Sequence, residues 1–129
     1  MQNLRMQPNR ARFFFDWGSG LCLWAVNDAT RGRYGYPIDH HDLGLPADLV
    51  DEIDRLEAWR NTALNWNYPP DPGPWRESEC EAFNAAVVAT FDELQEALGP
   101  QWELIYENDE LYEDLDLDRY LADPAGFRR

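Results

Sequence analysis

Asp39-His40-His41-Asp42 is the densest group of titratable side chains able to bind a metal. Imidazoles change charge near neutral pH, so this is where acid–base chemistry would first be sought. The spacing argues against a metal, because neighbouring residues on a strand or helix point apart, and metal-binding histidines more often sit two to four positions apart. The plainer reading is a polar loop ahead of Pro46. Cys22 and Cys80 belong to no CxxC or Cys/His cluster, and are expected to be buried, reduced thiols. Gly18-Ser19-Gly20 lacks the lysine and following helix of a phosphate loop. Neither serine, Ser19 or Ser78, sits in a nucleophile-elbow context. The sequence therefore predicts no catalytic residue, no metal and no cofactor, with an enzyme using His40 or His41 kept as a secondary alternative.

Charge is the pattern with more chemical consequence. The 129 residues hold 25 acids against eleven basic side chains, all arginine, for a formal net charge of −14. From Glu77 to Asp118 there are fourteen acids and no basic residue, while the rest of the chain balances eleven against eleven. Glu77, Glu79 and Glu81 open a helix, where its dipole favours carboxylates. Asp92, Glu93 and Glu96 close the same helix, where each costs roughly a few tenths of a kcal/mol. They should face solvent opposite the apolar stripe. Asp109, Glu110, Glu113, Asp114 and Asp116 follow. These eight acids, with Tyr106, Tyr112 and Tyr120 as aromatic anchors, form the predicted partner-binding set. A solvated face that only aids solubility competes with that reading. Adaptation to high salt is a third, but it predicts acids spread over the whole surface.

The elements that must position these side chains follow from periodicity. Phe13–Trp17 and Leu21–Val26 read as two strands joined by the Gly18-Ser19-Gly20 turn, apolar enough to be covered on both faces. Residues 34–39 read as a short strand that Pro37 places at an edge. A helix is expected from about Pro46 to Leu64, with Asp51 pairing with Arg55. Residues 65–75, rich in proline and aromatics, read as a stiff extended connector. The next helix carries a stripe of Cys80, Phe83, Val87, Phe91, Leu94 and Leu98. Ser78 and Glu81 match a capping box, and Gly99-Pro100 is a stop. Trp102–Glu107 reads as a strand, and a short helix is expected near Leu111–Leu121.

The fold expected is α+β: a small, mainly antiparallel sheet, made of the N-terminal hairpin and a C-terminal strand, packed with two main helices. Residues 1–12 would form a flexible arm, 13–107 the domain, and 108–129 an acidic tail, part of it a short helix on the domain. No apolar run reaches a membrane span of ~20 residues, and residues 1–8 show no signal-peptide stretch, so the expected location is the cytoplasm. A surface of this sign argues against direct nucleic-acid or membrane binding. The expected partner is a protein with a basic surface.

The layout resembles small immunity proteins of bacterial polymorphic-toxin systems. The resemblance rests on the Phe14–Trp17 and Leu21–Trp24 hairpin, Leu43-Gly44-Leu45-Pro46 before an acidic helix, and the Trp66 to Trp75 loop. The Phe83 to Gly99-Pro100 helix and the acidic tail complete it. It implies a cytosolic inhibitor, of immunity or antitoxin type, that blocks a cognate toxin through a charge-complementary interface. The alternative from another class is a DNA-mimic regulator, which would present its carboxylates in ordered rows to a DNA-binding protein.

Overall fold

In the computed structural model, which describes residues 7–129, the first strand begins at Asn9. Four residues of the expected arm thus belong to the sheet, and residues 1–6 lie outside the described ones. Strand β1, Asn9–Phe13, buries Asn9, Ala11 and Phe13 and turns Arg10 and Arg12 to the polar side. It pairs antiparallel with β2, Leu23–Ala25, matching Ala11 to Ala25 and Phe13 to Leu23. The hairpin loop is longer than expected, and Gly18 and Gly20 both take positive φ in it (74° and 75°). Only β2 is buried at every position; β1 keeps one solvated face. The short β3, Pro37–Ile38, lies at the sheet edge beside β2.

The expectation of a mainly antiparallel sheet is corrected by β4, Trp102–Tyr106. It pairs parallel to β1, from Asn9 beside Trp102 to Phe13 beside Tyr106, and makes a mixed four-stranded sheet of order β3-β2-β1-β4. Parallel neighbours require a crossover, supplied here by everything between the two strands. The free side of β4 is partly covered by Gln95, whose carboxamide donates to Trp102 O (2.9 Å) and accepts from Leu104 N (3.0 Å).

Four α-helices accompany the sheet. The short α1, Asp28–Tyr34, has no counterpart among the sequence-predicted elements. Asn27 caps it by accepting from Thr30 N, and Gly35 ends it at φ 87°. A 3-10 turn at His40–Asp42 leads into α2, Ala47–Asn61, which packs antiparallel on α3, Glu77–Leu98. Trp59 near the end of α2 meets Phe83 near the start of α3, with ring centroids 5.1 Å apart. Cys80, Phe83, Val87 and Leu94 of the expected stripe are buried with Ile53, Leu56, Phe13 and Trp75 in one core. Burial pushes both Cys22 and Cys80 thiols up, which keeps them unreactive. None of the described helices is long and apolar enough to cross a membrane.

Local details depart from the helical expectations for tertiary reasons. Arg55 pairs with Glu52, not Asp51, through two bonds of 2.7 Å. The connector is folded, not extended, because Asn65 Oδ1 accepts from both Asn67 N and Tyr68 N. A Cβ on Gly73 would stand 2.0 Å from Ala63 O, so only glycine allows this close crossing. No Ser78 cap forms, since α3 starts at Glu77. Instead Glu77 N donates to Glu113 Oε1, and Glu113 N donates back to Glu77 Oε1, both at 2.9 Å.

That exchange ties residues beyond β4 to the start of α3, and Asn84 ties them about two turns further along it. Asn84 Nδ2 donates to Leu111 O, and Leu111 N donates to Asn84 Oδ1, both at 2.9 Å. The short helix α4, Leu117–Ala122, follows, with Leu117 buried. The pair of Asn84 bonds should be worth about 1–3 kcal/mol. Asn84→Ala is therefore expected to speed amide exchange at residues 109–116 by at least ~10-fold while the α3 core stays protected. Unchanged exchange there would contradict this anchoring.

Candidate functional site

The fourteen acids of residues 77–118 divide by whether arginine reaches them. Arg10 binds Glu103, and Arg12 binds Glu107 at 2.6 Å, along the polar face of the sheet. Arg76 holds Asp118 at 2.8 Å and stands 3.6 Å from Glu113. Arg129 reaches back to Asp114 (2.8 Å) and Asp116 (3.0 Å), and Arg119 also meets Asp116 at 3.2 Å. The Arg129 guanidinium holds the Asp114 carboxyl below its usual range. Among the described residues, Asp92, Glu93, Glu96, Asp109 and Glu110 make no such pair, and neither do Glu77, Glu79 and Glu81 at the start of α3, where the helix dipole favours carboxylates; all eight are exposed. The structure thus separates the predicted acids into an open set and a neutralised set.

The open set itself falls in two places. α3 spans 22 residues, about 33 Å at 1.5 Å per residue. Glu113 sits against its first residue, whereas Asp92, Glu93 and Glu96 occupy its last two turns. Asp109 and Glu110 precede Leu111, which is level with Asn84. The three tyrosines divide likewise. Tyr112 is 68% exposed and donates to Glu110 Oε2 at 2.7 Å. Tyr106, 37% exposed, stacks on Phe13 and meets Phe91 edge to face. Tyr120 is engaged internally: its ring meets Phe127 and its hydroxyl accepts from Asn65 Nδ2.

Sequence reasoning missed four participants. Asp48, in the first turn of α2, shares a groove with Glu93 and Glu96. Glu57 and Arg60 are both buried, where desolvation pushes the carboxyl up and the guanidinium down. Arg60 lies 3.7 Å over the Trp17 ring, while Glu57 accepts from Gly20 N. Their one-turn spacing on α2 was the available signal. Asp54, also on α2, is the partner of both histidines.

His40 is fully buried and its Nε2 bonds Asp54 Oδ1 at 2.8 Å. His41 Nε2 meets Asp54 Oδ2 at 2.8 Å and its Nδ1 meets Asp39 Oδ1 at 2.7 Å. Ligand atoms of Asp39, His40 and His41 do fall within 4.8 Å of one another. Yet both His41 nitrogens already face carboxylates, so the group is better described as a histidine–aspartate latch between the 3-10 turn and α2. His40 has no surface to offer a substrate, and the 290 Å3 cavity beside this turn is lined by Asp39 and Asp42 but by neither histidine. Hydrogen bonds to Asp54 and then Asp39 hold the His41 imidazole above its ordinary value of 6.5. Burial pushes the Asp54 carboxyl up, but the bonds from His41 and His40 outweigh this and leave it below its usual range. The stabilisation from His41 is thus complete below about pH 6.5 and is lost as pH rises through the raised folded-state value. A histidine NMR titration should place the His41 midpoint above 6.5 and return it toward 6.5 in Asp54→Asn. An equal midpoint in both proteins would contradict the latch.

No curated protein matches the chain at a significant level. Residues 10–109, from the first strand to just past the fourth, match the family model described as Serratia CdiI immunity protein-like. The matched region takes in β1, both long helices and β4, that is, nearly all of the core. The chain therefore belongs to this family of immunity proteins of contact-dependent inhibition toxin systems.

Proposed function

We propose that the chain neutralises a cognate toxin by covering a basic surface of it, presenting the carboxylates that arginine leaves open. One observation carries this reading: of the acids from Asp92 to Asp118, Asp92, Glu93, Glu96, Asp109 and Glu110 stand exposed without an arginine, while Glu103, Glu107, Glu113, Asp114, Asp116 and Asp118 are each paired. Exposed Tyr112 and half-covered Tyr106 lie close by in sequence and are the aromatic contacts this docking would use. Glu113, Asp114, Asp116 and Tyr120 support the interface indirectly, by shaping residues 108–120 against α3 and the connector.

Complementary potential accelerates encounter and rejects wrong partners, and salt weakens it. A DNA mimic is less favoured, because pairing with arginine interrupts any long row of phosphate-like charge. An enzyme is less favoured too, since both His41 nitrogens face carboxylates and the unpaired Nδ1 of His40 is buried. The family is one of immunity proteins, and binding rather than catalysis suffices for that role.

The test is stopped-flow association with the cognate toxin at low and high salt. The association rate should fall by at least ~10-fold between 50 and 500 mM salt as screening shortens from about 14 to 4 Å. In Asp92→Asn/Asp109→Asn/Glu110→Gln the low-salt rate should already be reduced and its salt dependence shallower. A toxin captured equally fast by both proteins at every salt concentration would refute the electrostatic mechanism.

A further inference from the structure

Where the end of α3 passes the start of α2, the helices leave a groove of about 330 Å3 between Pro46, Asp48 and Leu49 on one side and Glu93, Glu96 and Ala97 on the other. Pro46, Leu49 and Ala97 give it an aliphatic lining. Asp48, Glu93 and Glu96 give it three carboxylates, and among the described residues no cation lines it. The backbone adds to the same sign. The last turn of α3 has no basic residue, so the negative end of its dipole is unopposed. The positive end of α2 next to it is answered by its own Asp48. An apolar cleft with a purely negative rim fits a side chain with an aliphatic stem and a cationic head.

We propose that this groove receives one arginine side chain of the cognate toxin, an assignment that rests on the toxin-binding reading above and gives it an address. Arginine suits the groove better than lysine. Its methylenes can lie along Pro46, Leu49 and Ala97, as long cationic side chains do on apolar surface. Its planar, weakly hydrated guanidinium has five donors, enough to bond carboxylates of both helices at once. A contact held in this way governs how slowly the complex falls apart, whereas the open acids outside the groove govern how fast it forms.

Two measurements test this. In the first, the full chain is titrated with N-acetyl-arginine amide and followed by amide NMR, with N-acetyl-lysine amide and sodium chloride at equal ionic strength as controls. Saturable shifts centred on Leu49, Glu93, Glu96 and Ala97, larger for arginine and absent in Glu93→Gln/Glu96→Gln, are expected. Unsaturable shifts spread over the acidic surface, or equal for all three solutes, would overturn the assignment. In the second, dissociation of the cognate toxin is timed. Glu93→Gln/Glu96→Gln should speed it by at least ~30-fold, and Asp109→Asn/Glu110→Gln by less than ~3-fold. A toxin that binds both proteins with unchanged dissociation overturns the groove and leaves the immunity reading standing. A toxin that binds no form, wild type included, overturns the immunity reading and the groove with it.

Discussion

Eleven arginines must serve 25 carboxylates, and where they are placed organises the rest of the molecule. Five of them act on the acidic segment that follows Arg76 in the chain. Arg10 binds Glu103 of β4 and Arg12 binds Glu107 just after it, across the parallel β1–β4 pair at the sheet edge, reinforcing the backbone register there. Arg76, Arg119 and Arg129 hold the last acids around α4. Exposed ion pairs of this kind contribute little individually. Their collective effect is positional: they let a chain segment of strongly negative charge lie along an already acidic helix instead of being repelled from it.

Hydrogen bonds between side chains and backbone do the anchoring of that segment. Asn84 brackets Leu111, Asn108 Oδ1 accepts from the buried Phe15 N, and Glu113 completes the start of α3. Segment, helix and sheet are therefore one packed unit. The half of α3 next to the segment is satisfied by it. The other end is not, and there the carboxylates of Asp92, Glu93 and Glu96 meet solvent beside the start of α2. Holding like charges at the negative end of a helix is unfavourable locally. A cation brought by a partner would remove that cost on binding.

Local signals were legible in the sequence and non-local ones were not. The α3 stripe and its Gly99 stop are visible because they repeat within one helix, and the acids of its last turns stand out because no cation is near in sequence. The α+β class follows from the mixture of such signals. The parallel partner of β4 was hidden: β1 alternates with Asn9 and Ala11 inward, small residues that give a weak period-two pattern, while the louder Phe13-Phe14-Phe15 run drew the strand too far along the chain. The start of α3 was assigned to Ser78, because the group that completes it, Glu113, comes from 36 residues away. The neutralisation of Asp114 and Asp116 was hidden for the same reason, since Arg129 reaches them only after the chain has turned through α4. The histidine pair reads locally as a polar loop; its latch to Asp54 joins two elements that periodicity treats separately.

The central claim is that the surface left without arginine is the one the toxin covers. Hydrogen–deuterium exchange of the chain, free and bound to its cognate toxin, tests it most directly. New protection at residues 46–50, 92–98 and 106–112 is the result predicted. Protection confined to the proline-rich connector and α4, with those segments exchanging as in the free protein, would contradict it.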